Sequence, residues 1–309
     1  MATQFEKYVA AVVQASPIFL NRRATTEKAC KLIREARKQG ARLVVFPEAW
    51  IPTFPHWPRA LPKGERELSQ EAWVQLYQES VEIPGPETDA LSEAAREAGC
   101  HVVIGVNEKS SEPGATLYNT LVFVGDQGQL LGKRRKLLPT YEERCCWGIG
   151  GTSDLPVFQT PLGTLGGLIC GEHNHPLLRH ALAVKGEQVH IAVWPKGSHL
   201  DRTADILSRS HAIESQAYVV MASGLLSPDQ VPDDFPLKKR TLWNVNGGSG
   251  IIGPDGDYLA GPVYDKETIL YAEIDPKKIL EEKWKIDTVG HYSRPDVVRL
   301  VLNEGKQNH

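Results

Sequence analysis

The sequence predicts an α/β protein whose helices lie outside a largely buried sheet. Three observations lead there: a helix–glycine–strand unit that recurs along the chain, strands apolar on both faces, and a composition of 41% hydrophobic and 24% charged residues over 309 positions. Strands apolar throughout need cover on both faces, and alternating helices supply it. Tyr8 to Val13 reads as the first strand. Thr25 or Thr26 can cap a helix whose apolar positions Ala29, Leu32, Ile33 and Ala36 fall on one side; Gly40 stops it, and Leu43 to Phe46 follow as a buried strand. Thr88 opens a second helix, with Leu91, Ala94, Ala95 and Ala98 inward, Gly99 at its end and Val102 to Val106 as the next strand. Thr120 to Val124, a Gly-Asp-Gln-Gly turn and Leu130 onward form a hairpin. Leu165 to Cys170 is an apolar, glycine-rich strand. A helix from about Pro176 to Lys185 then ends at Gly186 and feeds Val189 to Trp194, and another from about Ala204 to Gln216 feeds Tyr218 to Ala222. Gly250 to Ile252, the turn Pro254-Asp255-Gly256 and Tyr258 to Ala260 make a second hairpin. The proline-rich Ile51 to Pro62 and the Pro/Asp-rich Ser227 to Pro236 read as surface excursions, where function concentrates. No linker divides the chain, so residues 1–309 are expected to form one domain, with a core of about 8–275 and a C-terminal extension of about 276–309.

Charge and cysteine usage narrow the function. Lys+Arg 35 against Asp+Glu 38 gives a net charge of −3, without the basic footprint of a nucleic-acid binder. The runs Lys133 to Lys136 and Lys238 to Arg240 read as solvated edges. No charged region followed by a long apolar one opens the chain, and no stretch has the roughly 18 apolar residues of a membrane span. Five cysteines are an odd number and no disulfide framework. A reducing, cytoplasmic setting is therefore expected, with one thiol free for chemistry.

Three positions carry candidate chemistry. Cys170 ends a strand and is followed by Gly171-Glu172-His173 and a helix start at Pro176, which presents it at the carboxyl edge of a sheet. Adjacent amides there favour a thiolate; the plainer alternative is a buried structural cysteine. Glu48 closes the run Val44 to Trp50, where aromatic surroundings would desolvate it and suit it to general-base work; otherwise it is an exposed strand-end carboxylate. Lys136 ends the basic run and decides nothing by itself. Cys170, Glu172, His173 and His175 sit within six residues, and His175 and His180 fit the histidine half of a zinc motif, but no cysteine pair completes it, so no metal is expected. Gly247-Gly248-Ser249-Gly250 lacks the P-loop lysine, and no G-x-S-x-G elbow exists.

Taken together, Phe46-Pro47-Glu48, Arg135-Lys136-Leu137 and Leu168-Ile169-Cys170 resemble the nitrilase superfamily of carbon–nitrogen hydrolases, which carry a Glu-Lys-Cys triad in that order. The similarity runs from about Val12 to the His291–Asp296 stretch, nearly the whole chain. It implies a four-layer α-β-β-α sandwich. The run from Arg135 to Gly148 looks like the segment of true nitrilases, in which the glutamate before the arginine is a fourth active-site residue, here Glu143. The tract Gly186 to Ile191 and the pair Trp194-Pro195 point the same way. Two departures stand out: Gly148-Ile149-Gly150-Gly151-Thr152-Ser153 lacks the aspartate common in that branch, and Gly171 replaces the tryptophan that often follows the nucleophile.

The resemblance implies hydrolysis of an organic nitrile to the carboxylic acid and ammonia through a covalent Cys170 thioimidate and acyl-thioester, with no cofactor. Glu48 would be the base, Lys136 the fixed positive charge and Glu143 a holder of substrate or water. Trp57, Gly171, His173, Trp194 and Pro195 are the expected substrate contacts, with Trp50 to Trp57 and His56 along the pocket wall. Members of the family form dimers or larger assemblies, some spiral, and the C-terminal extension is the candidate interface. An amidase or carbamoylase of the same superfamily, a cyanide-hydrolysing member, and a non-enzymatic scaffold are the alternatives. The sequence leaves open the preferred nitrile, its stereochemistry, the acid-to-amide ratio and the oligomer size.

Overall fold

The computed structural model describes residues 6–60, 66–241 and 243–303. In chain order, β1 (Tyr8–Gln14), α1 (Arg22–Lys38) and β2 (Ala41–Val45) are followed by α2 (Arg66–Gln78), α3 (Pro86–Ala98), β3 (His101–Lys109), β4 (Leu117–Val124) and β5 (Leu130–Arg135). The second half brings β6 (Phe158–Thr160), β7 (Gly163–Ile169), α4 (Pro176–Val184), β8 (Val189–Trp194), α5 (Asp201–Ser215) and β9 (Tyr218–Ser223). It ends with β10 (Leu225–Leu226), β11 (Val245–Ile252), β12 (Tyr258–Tyr264), β13 (Thr268–Ile274) and α6 (Pro276–Lys285).

Two sheets result. The first has the order β13-β1-β2-β3-β4-β5, parallel across β1, β2 and β3. The second has the order β10-β11-β9-β8-β7-β6, with β12 also on β11, and is parallel across β7, β8 and β9. Alternate residues of each strand face opposite ways, and the core divides accordingly. Ala11, Val13, Val44, Val102, Ile104 and Val122 pack with Ala29, Ile33 and Ala36 of α1 and Leu91, Ala94 and Ala95 of α3. Ala10, Val12, Leu43, Val45, Val103 and Leu121 instead join Leu165, Ile169, Ile191, Val193 and Val220 of the second sheet. Beyond that sheet, Leu168 meets Ala181 and Leu182 of α4. The α/β expectation thus takes the form of two sheets packed against each other, with helices on the far side of each.

Helix starts differ from the expected ones for local reasons. α1 begins four residues before Thr26, because the Asn21 side chain accepts from the Ala24 amide at 2.9 Å. Thr25 and Thr26 lie inside the helix, where their hydroxyls donate back to the Ile18 and Arg22 carbonyls. α3 begins at Pro86, and Thr88 sits in its first turn, its hydroxyl accepting from the Gly85 amide at 2.9 Å. α5 starts at Asp201, three residues before Ala204, and Gln216 ends it with a φ of 48°. α2 and β13 carried no sequence expectation. Of the Ile51–Pro62 excursion, residues 61 and 62 lie outside the described residues.

Three strand ends matter most for function. Glu48 follows β2, Lys136 follows β5 and Cys170 follows β7, all three buried. After β2 the chain keeps bonding to β3, with the Phe46 amide donating to the Val103 carbonyl and the Gly105 amide to Pro47. A side chain at Gly105 would collide with the Pro47 oxygen and lie 2.8 Å from the Glu48 Cα. Glycine there is what lets the Glu48 turn lie flat on β3.

Candidate active site

The basic run on β5 shows how the site is wired. Consecutive residues of a strand face opposite sides, so four successive cations split two and two. Lys133 and Arg135 reach Glu108, a carboxylate 1% exposed that also accepts from Thr120. Arg134 and Lys136 point the other way and are each 1% exposed. The expected solvated edge is therefore a set of ion pairs, because buried acids from other elements meet each cation.

Lys136 Nζ lies 3.0 Å from Glu48 and 2.7 Å from Glu143. Cys170 completes the group: one carboxylate oxygen of Glu48, one of Glu143 and the Cys170 sulfur lie within 4.8 Å of one another. The three expected catalytic residues and Glu143 thus meet in one buried place. Asn119 Nδ2 donates to Glu48 Oε1 at 2.7 Å, and the Thr140 amide donates to Glu143 Oε2 at 2.7 Å. The second oxygens, Glu48 Oε2 and Glu143 Oε1, have no protein partner. Two unpartnered carboxylate oxygens beside a thiol leave lone pairs for a thiol proton and a water.

The electrostatics set the resting protonation. Burial, opposed by Lys136 and reinforced by Glu143, raises Glu48 to about 7. Burial, with the Glu48 charge, pushes the Cys170 thiol well above the usual range, Lys136 pulling the other way. Burial works against the Lys136 charge, but Glu48, Cys170 and Glu143 outweigh it and raise its pKa above the ordinary lysine value. The arrangement is a neutral thiol beside a carboxylate poised near neutrality and a permanent ammonium. Such a set moves a proton from sulfur to carboxylate at the moment of attack and meets the resulting negative charge with a fixed cation.

Cys170 itself takes a φ of 49°, rare for a residue with a side chain and characteristic of functional turns. Arg134 and Glu172 hold this turn. The guanidinium donates to both oxygens of Glu172, at 2.7 and 2.6 Å, and to the Gly167 carbonyl at 3.0 Å. Glu172 accepts in addition from the amides of Ile169 and Leu137, each at 2.7 Å. One carboxylate therefore grips the residue before Cys170 and the residue after Lys136. Asp154 ties the next loop, accepting from the Arg135 amide at 2.9 Å and the Gly151 amide at 2.7 Å. The tract Gly148 to Ser153, which lacks an aspartate of its own, is pinned this way.

The expected substrate contacts separate into wall and support. A cavity of about 470 Å³ is lined by Phe54, His56, Pro195, Lys196, Asn244 and Val245 among others, without Cys170 or Lys136. A smaller cleft that includes Glu48 shares Phe54, His56, Pro195 and Val245 with it, so the two adjoin. Pro195 is on both walls. Trp57 is on neither: it is 1% exposed and packs between Phe19 and Phe235. Trp194 is fully buried, stacked on His173 with ring centres 4.8 Å apart. His173 has both ring nitrogens engaged, one with the Cys170 carbonyl and one with His190. These two rings lie beneath the nucleophile turn, where the β8 end and the turn pack together. Gly171 faces Thr140: a side chain there would fall 2.5 Å from Thr140 Oγ1. The candidate metal set disperses, with Glu172 on Arg134 and His173 on His190. Sequence reading missed Asn119, the Arg134–Glu172 grip, Asp154 and the Glu187–His190–His211 cluster. Of these only the grip had a visible signal, four consecutive charges on a strand, which demand buried acids on at least one face.

Comparisons with known proteins agree with this geometry. The family model described as carbon-nitrogen hydrolase matches residues 9–282. A protein named Nitrilase 2 from an unknown prokaryotic organism is 40% identical over 98% of this chain and 95% of its own length. Nitrilase 2 of Arabidopsis thaliana is also 40% identical, covering 96% of this chain and 88% of its own, and an aliphatic nitrilase of Sinorhizobium fredii (strain HH103) is 39% identical over 96% of each. Among solved structures, a Saccharomyces cerevisiae member of branch 10 of the nitrilase superfamily superposes with a TM-score of 0.72 at 22% identity, covering 93% of this chain and 97% of its own. The amidase from Nesterenkonia sp. AN1 superposes with a TM-score of 0.67 at 18% identity over 90% of this chain and 97% of its own, a likeness of fold. The chain belongs to the carbon–nitrogen hydrolase family, of the nitrilase superfamily.

Proposed function

We propose that the protein is a nitrilase that converts a small organic nitrile and two waters to the carboxylic acid and ammonia, with Cys170 as nucleophile. The meeting of Glu48, Lys136, Glu143 and Cys170 in one buried group carries the reading. Glu48, ionised above about pH 7, takes the thiol proton as sulfur adds to the nitrile carbon, giving a thioimidate. Lys136 offsets the negative charge that develops beside it, an effect worth about 3–4 kcal/mol when preorganised in a dry site. Water then adds, Glu48 returns its proton to the departing ammonia, and an acyl-thioester remains. A second water, aligned by Glu48 and Glu143, releases the acid and restores the thiol. The adjoining cavity admits a compact substrate between Phe54 and Pro195.

The remaining expectations belong to the same proposal. The chain acts as one domain, and it assembles as a homo-oligomer through its C-terminal stretch, where Trp284, Tyr292, Val297, Val298 and Val301 are exposed. A cytoplasmic setting fits five free cysteines. Among the described residues no helix is long and apolar enough to cross a membrane. The test is ammonia and acid release from a panel of aliphatic, aromatic and arylacetonitriles beside their matching amides, for wild type and Cys170→Ala. Turnover of nitriles that vanishes in the variant supports the reading. Turnover of amides alone moves the protein to the amidase branch of the family.

A further inference from the structure

Behind the nucleophile runs a line of buried polar side chains that the reaction scheme leaves unused. His173 Nδ1 lies 2.8 Å from the Cys170 carbonyl oxygen, and its Nε2 lies 3.0 Å from His190 Nε2. His190 Nδ1 lies 2.9 Å from one oxygen of Glu187, and His211 Nε2 lies 2.9 Å from the other. None of the four side chains is more than 2% exposed.

Each of the four contacts needs one hydrogen between its two heavy atoms. A backbone carbonyl only accepts, so His173 Nδ1 must carry a hydrogen, which leaves its Nε2 to accept from His190 Nε2. A carboxylate only accepts, so His190 Nδ1 must carry a hydrogen as well. Three neutral imidazoles and one carboxylate hold three hydrogens, one short of four. With only three, one contact stays empty: His190 turns a lone pair on Glu187, His173 turns a lone pair on the Cys170 carbonyl, or the two imidazoles turn their Nε2 lone pairs on each other. Each arrangement leaves a buried contact repulsive.

We propose that this line retains a fourth proton, shared as a buried imidazolium–carboxylate pair between His190 and Glu187, and that this proton fixes His173 as the donor that holds the Cys170 carbonyl. The line is then neutral overall and every contact is filled. Burial would raise Glu187, but His190 and the two imidazole hydrogen bonds hold it at about 2, so it stays a carboxylate. Burial pulls His190 down while Glu187 pulls it up, and the four contacts decide between them in favour of the proton. The charges facing the line are already matched: Arg179 is paired with Glu214 and donates to the His173 carbonyl, and Arg134 is paired with Glu172. The Trp194 ring covers His173 from the remaining side. Cys170 holds a φ of 49°, and the hydrogen bond to its carbonyl joins the Arg134–Glu172 grip in keeping the turn in that conformation, with the sulfur beside Glu48. Glu187, His190 and His173 are thus positioning residues, and their role in turnover rests on Cys170 being the nucleophile.

The test is the nitrogen-15 spectrum of protein labelled at histidine, at a pH of about 8.5, two units above the ordinary histidine pKa of about 6.5. Exposed histidines are then neutral, and the proposal expects one histidine with both nitrogens protonated. Glu187→Gln supplies an amide that donates to His190 and accepts from His211, so neutral groups fill all four contacts. That variant loses the doubly protonated signal yet keeps kcat within about threefold, whereas Glu187→Ala loses about tenfold or more in kcat with KM little changed. A wild-type spectrum in which every histidine is singly protonated overturns the proposal, and it is read without substrate or any variant. Equal loss of kcat in Glu187→Gln and Glu187→Ala overturns the positioning role. Inactivity of wild type on every nitrile would touch the nucleophile reading and leave the proton count standing.

Discussion

Glu172→Ala removes the carboxylate that clamps the two loops of the site together, and its cost follows from the hydrogen bonds and the charge pairing that go with it. Glu172 and Arg134 are 5% and 1% exposed, and the pair is bidentate. Leaving one buried charge without its partner costs about 3–5 kcal/mol. The same substitution strands the amides of Ile169 and Leu137, at about 1–3 kcal/mol each. The total, about 5 kcal/mol or more, is a large part of the roughly 5–15 kcal/mol by which a protein is stable. Removing both charges, in Arg134→Met/Glu172→Leu, recovers the first contribution and leaves the second, so the double variant should be about 3 kcal/mol more stable than Glu172→Ala. Its kcat should stay low, because nothing then ties the residue before Cys170 to the residue after Lys136. Urea unfolding followed by tryptophan fluorescence measures the stabilities, and ammonia release measures kcat. A Glu172→Ala protein within about 1 kcal/mol of wild type would show that the clamp does not carry this stability, as would a double variant no more stable than the single one.

Other outcomes follow from the same geometry. With Glu48 raised to about 7, kcat/KM should rise with pH through that value as the base ionises; Glu143→Gln, which removes a neighbouring negative charge, should move this limb to lower pH, as a pH–rate profile will show. Gly171→Ala places a methyl group 2.5 Å from Thr140 Oγ1 and should cost about 1–3 kcal/mol, and Thr140→Ala in the same chain should restore most of it in the same unfolding assay. Iodoacetamide should label exposed Cys145 before Cys170, whose thiol burial holds well above the usual range, and the Cys170 rate should climb with pH when followed by peptide mapping in a Cys145→Ser background.

How far the sequence foretold this site depended on where each signal lay. Glu48 and Cys170 close apolar strands and Lys136 closes a basic one, and strand ends are where α/β sheets gather ligands, so their placement was legible once their order was noticed. The helix starts were misjudged where a side chain outside the helix took the capping role, as Asn21 did ahead of Thr25. The strand β13 joins β1 from more than 250 residues away, a pairing that no local pattern announces. The run Lys133 to Lys136 looked solvated because its partners Glu108, Glu172, Glu48 and Glu143 come from four separate segments. His211 reaches from α5 to Glu187, 24 residues earlier in the loop before β8, so the imidazole line exists only in three dimensions. Trp57 and Trp194 show the limit of reading aromatics as pocket walls: in a packed core a large ring most often supports the residues that carry the chemistry.

Everything proposed for turnover depends on Cys170 forming a covalent bond to the nitrile carbon with Glu48 as its base. Rapid acid quench of wild type with a turned-over nitrile, followed by intact-protein mass spectrometry and peptide mapping, tests it most directly. An acyl or thioimidate mass is expected on the peptide carrying Cys170, absent in Cys170→Ala and accumulating more slowly in Glu48→Gln. The same adduct on Cys145 or Cys146, or full turnover by Cys170→Ala, would contradict it.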